Sequence, residues 1–176
     1  SLKGLCILLD ATYEYCTDWD ICLNARKSKL IYFGKRCTDI FVPTVNGTPI
    51  EWVDSCLYLG VCIISANRFK CSALDRIKKF YRTANAIFRV DGRSDDLTML
   101  RLVEVHCVPI LTYGIEISVF DNSQRSKLRA AYNSLFRKIF GYRNYESVTN
   151  LQLNLGRPTW EMLCETRTHD FYQRLS

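Results

Sequence analysis

The sequence predicts an α+β fold in two parts, a helix with short antiparallel strands over residues 1–66 and an all-helical region over residues 67–176. Two observations support this prediction. Before residue 66, short runs of strand-forming residues are separated by turn signals, the clearest of which is Asn46-Gly47. After Asn67, apolar residues recur every three or four positions, which is the spacing of one face of a helix.

The first element is an amphipathic helix over residues 2–20, which we expect to pack by one face. Its apolar positions recur at steps of three and four: Leu2, Leu5, Leu9, Tyr13, Cys16 and Trp19.

Short strands follow this helix. Ile21–Leu23 and Lys29–Phe33 are rich in strand formers and enclose a basic connection. Phe41-Val42 and Pro49–Val53 flank the Asn-Gly pair, whose two residues tolerate the positive φ of a tight hairpin turn. One further strand is predicted over residues 57–64.

The second part reads as a series of helices. The first has the apolar stripe Leu74, Ile77, Tyr81, Ala84 and Phe88. Ser94-Asp-Asp96 resembles an N-cap followed by acidic first-turn residues, and Pro109 suits a helix start.

The next helix has its own apolar stripe, consisting of Leu128, Ala131, Tyr132, Leu135 and Ile139. Asn122 or Ser123 can cap its start and Gly141 can end it. A last helix is expected from about Thr159 to Arg174, with Pro158 at or beside its start.

Composition limits the classes of protein to consider. With 176 residues, of which 48% are hydrophobic, the chain can bury a core. Its net charge of +6 favours a polyanionic partner without identifying one, and a mildly basic soluble protein fits equally well. We interpret the nine cysteines as reduced core residues of an intracellular protein, because most lie in apolar runs, as Cys6, Cys22, Cys62 and Cys107 do. No apolar run approaches the roughly 20 residues that span a bilayer.

Two basic segments are candidate binding sites. Residues 24–35 hold Arg26, Lys27, Lys29 and Lys35 with no acid among them. Residues 68–89 hold seven basic residues against one acid, and the spacing of Lys78, Arg82 and Arg89 places them on one helix face. Such a face can neutralise phosphates, although a solvated surface explains most charge runs.

A second basic set has weaker support because its members flank both sides of an apolar stripe: Arg125, Lys127, Arg129, Arg137 and Lys138. The aromatic residues Phe80, Tyr81 and Phe88 sit at core spacing and are expected to pack. The carboxylate pairs Asp18/Asp20 and Asp95/Asp96 lie at helix ends, where capping or solvent exposure explains them. No zinc-binding pattern is present, since His106 and His169 lie far apart.

Several short sequence motifs occur in the order in which one polymerase family has them. Asn24-Ala-Arg-Lys-Ser28 leads into a strand ending at Phe33-Gly34, and Tyr58-Leu59-Gly60 follows. Two further motifs lie later in the chain, at Pro109–Gly114 and Leu135–Gly141. In this order the chain resembles the reverse transcriptases of non-LTR (LINE-type) retrotransposons, from the end of the palm through the thumb and the helices beyond it.

The resemblance implies a role for each candidate. Lys27 would lie close to the phosphates of the incoming nucleotide and protonate the leaving pyrophosphate, with Arg26 and Lys29 beside it. Tyr58, Leu59 and Gly60 would hold the primer end. Lys78, Arg82 and Arg89 would lie on a thumb helix facing template and primer.

The same resemblance implies an RNA-directed DNA polymerase as the parent protein, acting on an RNA template and a DNA primer in the nucleus or the cytoplasm. Its Mg²⁺ would be held by carboxylates of two motifs that precede residue 1, one of them Tyr-x-Asp-Asp, in the upstream palm. The chain as given would therefore bind no metal or cofactor, require the upstream palm and fingers, and be inactive alone.

Two other functions fit the residues. One is a noncatalytic nucleic-acid-binding or protein-interaction module, derived from a decayed or host-adopted element. The other is a structural helical domain with no nucleic-acid role.

Overall fold

The computed structural model describes residues 2–35, 41–90 and 95–176, apart from the side chain of Val90, and it has a mixed α+β fold, as predicted. The chain divides into two compact units, Ser1–Lys70 and Cys71–Ser176, here called unit 1 and unit 2. Among the described residues, no helix has the length and apolar content needed to cross a bilayer.

Unit 1 begins with helix α1, Leu2–Asp18. Its predicted packing face is only partly buried: Cys16 is buried and Leu9 is half-buried, but Tyr13 and Trp19 are exposed. The helix ends where the N–H of Ile21 donates to the carbonyl of Cys16 at 2.7 Å.

The predicted strand Ile21–Leu23 is wrong. These residues have irregular backbone, because Ile21 completes the helix end and Ile21 and Cys22 are exposed to solvent. The expectation that Cys22 belongs to the core is wrong for the same reason. Leu23 instead packs against a small apolar cluster formed by Ala25, Val45 and Ile50.

Unit 1 contains two pairs of very short strands around that cluster. Strand β1, Lys29–Leu30, pairs in parallel with β4, Glu51–Trp52, although only antiparallel strands were expected. Strands β2, Thr44–Val45, and β3, Thr48–Pro49, form the antiparallel hairpin predicted at Asn46-Gly47.

The single strand predicted over residues 57–64 is in fact a hairpin. Strand β5, Ser55–Tyr58, pairs antiparallel with β6, Val61–Ile64. The turn between them consists of Leu59, with φ 46°, and Gly60, with φ 77°. Two consecutive residues with positive φ reverse the chain within two positions, and the sequence pattern concealed this because leucine rarely adopts that conformation.

Unit 2 is mainly helical, and the division between the units falls within β7, Lys70–Ser72. This strand lies in the region predicted to be wholly helical. The helices of unit 2 are α2 (Leu74–Val90), α3 (Asp96–His106), α4 (Val108–Thr112), α5 (Asn122–Ile139), α6 (Thr149–Asn154) and α7 (Trp160–Leu175). Their shared core includes the fully buried Phe80, Leu100, Leu111, Leu128 and Phe136.

The first residues of unit 2 are held by side-chain and backbone bonds from residues 119 and 124. The N–H of Cys71 donates to the carbonyl of Val119 at 3.0 Å. The side-chain amide of Gln124 donates to the carbonyl of Cys71 at 3.0 Å and accepts the N–H of Ala73 at 2.6 Å. We call these three hydrogen bonds the Gln124 clamp.

Helix ends follow the predicted chemistry with one correction. Asp95 caps α3 by accepting the N–H groups of Leu97 and Thr98, while Ser94 lies outside the described residues. Asp121, rather than Asn122 or Ser123, caps α5, because its carboxylate accepts the N–H of Gln124 at 2.8 Å. Thr159 caps α7, and Gly141, with φ 71°, follows the end of α5.

The buried stripe of α2 is displaced from the predicted one. Phe80 is fully buried and Ala84 is buried, whereas Leu74 and Tyr81 are exposed. Tyr81 was expected in the core, but it lies at the edge of the α2–α5 contact, where the hydroxyl of Ser134 approaches its own at 3.5 Å.

Candidate nucleic-acid interface

The segment that contains Lys27 is a compact turn built by its neighbours. The carboxamide oxygen of Asn24 accepts the N–H of Lys27 at 3.1 Å, and the carbonyl of Asn24 accepts both the N–H and the hydroxyl of Ser28 at 3.0 Å. Ala25 is buried in the apolar cluster of unit 1. Asn24 and Ser28 therefore fix the backbone, and the side chains of Arg26 and Lys27 are exposed to solvent.

Lys29 differs from Arg26 and Lys27. Its ammonium group donates to the carboxylate of Glu51, which faces it across the parallel pair of β1 and β4. The sequence segment contains no acid, but the fold brings one from 22 residues away. This ion pair partly neutralises Lys29, so of the three it is the least suited to a phosphate.

Tyr58, Leu59 and Gly60 form the tip of the β5–β6 hairpin. The three apolar side chains there are largely exposed: Leu57 by 72%, Tyr58 by 62% and Leu59 by 75%. Leu59 also adopts a left-handed backbone conformation, which costs an L-residue about 1–2 kcal/mol. An apolar side chain is therefore presented to solvent on a strained turn.

In unit 2, Lys78, Arg82 and Arg89 lie on the exposed side of α2. Lys78 and Arg82 each precede a buried residue, Phe80 and Ala84, by two positions, which places them on the opposite side of the helix. The ammonium of Lys78 lies 3.7 Å from the carboxylate of Asp75, and both side chains are 73% exposed. Such a surface pair contributes little and leaves Lys78 available to a stronger anion.

Most of the second basic set holds unit 2 together. Arg125 donates to the carbonyl of Phe120 at 3.2 Å, Arg129 pairs with Glu161 at 3.5 Å, and Arg137 donates to the carbonyl of Glu146 at 2.9 Å.

Lys138 has a different environment, which the sequence pattern did not reveal. Its ammonium donates to Asn85 of α2 at 2.9 Å and lies 4.2 Å from the centroid of the Phe88 ring. This contact brings a cation from the end of α5 to the side of α2, although 53 residues separate Lys138 from Asn85. Only the tertiary fold reveals it.

The carboxylates and thiols of the described segments have ordinary explanations. Hydrogen bonds from Thr98, first from its backbone N–H, lower the pKa of Asp95, as expected of a helix cap. Burial raises the pKa of the Cys107 thiol to about 11, so that it stays protonated at neutral pH. Within residues 2–35, 41–90 and 95–176, no group of three or more His, Cys, Asp or Glu side chains could hold a metal ion.

Comparison with known proteins finds no matching family model, no matching curated protein and no matching solved structure. The features of this chain that bear on function are therefore its motif residues and their positions in the fold.

Proposed function

We propose that the chain is the nucleic-acid-binding end of an RNA-directed DNA polymerase of the non-LTR retrotransposon type. In this proposal unit 1 contributes the end of the palm and unit 2 the thumb and the helices beyond it. The polymer bound is an RNA template paired with a DNA primer. The observation that carries the proposal is the exposed, strained tip of the β5–β6 hairpin.

Leu59 is costly for the fold in two respects. Its backbone occupies a region that glycine or asparagine adopts at lower cost, and its side chain is mostly in water. Strain that stability does not explain is typical of functional positions. A tight turn that presents Tyr58 and Leu59 fits an element that grips the end of a primer.

The Asn24–Ser28 turn supports the chemical part of the proposal. It presents the Lys27 ammonium on a fixed backbone, and a cation there can approach a triphosphate. In nucleotide addition the primer hydroxyl loses its proton to water as its oxygen attacks the α-phosphorus, and the bond to the bridging oxygen of pyrophosphate breaks. Lys27 donates its proton to the departing pyrophosphate, whose negative charge grows as that bond breaks.

Helix α1 supports an association with the upstream palm and fingers. Leu8 lies seven residues before Tyr15 and thus on the same side of the helix, and the Tyr15 and Trp19 rings are 6.1 Å apart between centroids. All three side chains are well exposed. Exposed apolar side chains grouped on one side of a helix are typical of an interface with further protein.

Binding of a hybrid duplex to the α2 face tests the proposal directly. The fluorescence anisotropy of a labelled RNA–DNA hybrid should rise with added chain, and the affinity should fall steeply between about 50 and 200 mM salt. The variant Lys78→Glu plus Arg82→Glu should bind at least about 10-fold more weakly and show a shallower salt dependence, because two phosphate contacts are removed.

The matched control is Arg101→Glu plus Arg174→Glu, which changes the net charge equally at exposed positions on α3 and α7. It should retain most of the affinity. Equal losses in both variants would mean that net charge alone drives binding, and an α2 variant that binds like the unsubstituted chain would refute the proposed thumb face.

A further inference from the structure

A short loop after α5 carries four consecutive exposed residues whose side chains suit nucleobases and phosphates. They are Tyr142, Arg143, Asn144 and Tyr145. Tyr142 is 39% exposed and Tyr145 is 77% exposed. We call residues 141–146 the Tyr142 loop.

The Tyr142 loop is held at both ends by hydrogen bonds. The N–H of Tyr142 donates to the carbonyl of Arg137 at 2.9 Å, which follows the positive φ of Gly141. At the other end, the carboxylate of Glu146 accepts the N–H of Arg143, and the N–H of Glu146 donates to the carbonyl of Arg143 at 3.1 Å. Arg137 then donates to the carbonyl of Glu146 at 2.9 Å.

These bonds leave the Tyr145 ring largely exposed and the Tyr142 ring partly exposed. The guanidinium of Arg143 donates to the Tyr145 hydroxyl oxygen at 2.7 Å, and this contact lies at the edge of the ring rather than over its face. The carboxylate of Glu146, the one acid of the loop, is already engaged with the backbone of Arg143. The loop therefore presents two tyrosine rings, a guanidinium and a carboxamide on a backbone that is already ordered, which lowers the entropic cost of binding.

The loop also adjoins the α2 face through Lys138, which lies four residues before Tyr142. Asn85, which accepts the Lys138 ammonium at 2.9 Å, lies three residues after Arg82 and four before Arg89. Lys138 thus adds a cation beside Arg82 and Arg89 on α2, and its backbone lies four residues before Tyr142.

We propose that the Tyr142 loop binds single-stranded nucleic acid by stacking unpaired bases on Tyr142 and Tyr145. Bases inside a duplex are covered by their neighbours and only the two end pairs have a free face, so protruding tyrosines stack mainly on unpaired nucleotides. This proposal rests on the proposed function for its neighbour, the α2 face, which takes the duplex. The loop would receive the unpaired stretch next to that duplex.

The test uses the full chain and two probes, a labelled single-stranded RNA of about 10 nucleotides and a blunt RNA–DNA hybrid. The variant Tyr142→Ala plus Tyr145→Ala should bind the single strand about 10-fold or more weakly, and the hybrid within about 2-fold of the unsubstituted chain. Lys78→Glu plus Arg82→Glu should weaken hybrid binding instead. Tyr172→Ala is the matched control, because Tyr172 is an equally prominent tyrosine on α7.

A second measurement reports stacking itself. Tyr145→Trp should retain single-strand affinity, and its added fluorescence over the three native tryptophans should be quenched by the RNA. It also keeps the test valid if the alanine pair perturbs folding, because it preserves an aromatic ring.

Each outcome of these measurements either supports or overturns the loop proposal. Unchanged single-strand affinity in the alanine pair, with hybrid binding still lost in the α2 variant, would overturn the loop proposal and leave the proposed function standing; the loop would then suit a protein partner. Equal losses for both probes would also overturn it. If the unsubstituted chain binds neither probe, both proposals fail. No quenching in Tyr145→Trp would exclude stacking.

Discussion

Among the described residues of unit 1, two hairpins turn in nearly the same way with different residues. The β2–β3 turn has φ values of 48° and 70° at Asn46 and Gly47, and the β5–β6 turn has 46° and 77° at Leu59 and Gly60. Asparagine tolerates this conformation, because its short polar side chain can hydrogen-bond locally, whereas leucine does not. The two turns have the same shape and differ in what that shape costs.

The surroundings explain the difference. Val45, at the first turn, is buried and belongs to the apolar cluster of unit 1 with Ile50, so that hairpin builds the fold. The second turn leaves Leu57, Tyr58 and Leu59 exposed, and of the two residues that flank it, Tyr58 and Val61, only Val61 is buried. The turn that packs against the apolar cluster has asparagine, which adopts positive φ at low cost. The turn that exposes its side chains has leucine, and backbone strain of that kind is typical of functional positions.

The Asn24–Ser28 turn shows the same contrast between residues that stabilise a turn and residues whose side chains are exposed on it. Asn24 and Ser28 make its hydrogen bonds, while Lys27 contributes only its backbone to the turn and presents its side chain outward. Substituting a residue whose side chain is exposed on such a turn should change function. Substituting a residue that makes the hydrogen bonds of the turn should change stability.

Lys27→Ala should have the largest effect. In a polymerase that includes the upstream motifs, we expect nucleotide addition to slow by roughly 10²-fold, the lower part of the range for general acid catalysis. Unfolding free energy should change by no more than about 0.5 kcal/mol, as for other surface substitutions. Single-turnover incorporation and a thermal melt measure the two quantities, and Lys35→Ala in the same basic segment is the control. Unaltered chemistry would remove Lys27 from the site, and a loss of rate that follows a loss of fold would show that Lys27 supports the fold instead.

Asn46→Leu should destabilise unit 1 by about 1 kcal/mol, because it introduces at the first turn the strain that the second already has. Urea unfolding measures the change. The control is Asn67→Leu, an exposed asparagine of unit 1 outside the positive-φ positions. If both variants lose equal stability, exposed leucine is the cause, and the comparison of the turns is unsupported.

Leu59→Asn should do the opposite and raise stability, by up to about 1 kcal/mol. At the same time it should weaken binding of the RNA–DNA hybrid, because the presented side chain is lost. Urea unfolding and anisotropy on one preparation give both values. A less stable variant would show that packing holds Leu59 in place, and a more stable variant with full affinity would remove it from the site.

Much of the helical unit could be predicted from sequence, because helix signals are local. The stripe of α5 and its end at Gly141 depend on residues a few positions apart, as do the start of α7 at Thr159 and the common face of Lys78 and Arg82. Helix α6 was missed because its six residues are too few for a periodic signal. On α2, tyrosine and phenylalanine are adjacent, and only packing decides that Phe80 is buried and Tyr81 is not.

The strand unit was harder to predict because its contacts are distant along the chain. The pairing of Lys29 with Glu51 and the parallel strands that create it involve no local signal. Leu59 was read as part of a strand because leucine suits a strand, and the hairpin it turns became visible only in the fold. The candidate site could therefore be predicted as a set of basic side chains, but not its ion pairs or its strained turn.

The Gln124 clamp has a practical meaning for anyone who shortens this protein. A chain that began at Leu74, where the first helix of unit 2 begins, would keep α2 to α7 but lose Cys71 and Ala73. The amide of Gln124 and the carbonyl of Val119 would then be left without their partners. The segment to express starts at or before Lys70, since the fold of unit 2 begins three residues ahead of its first helix.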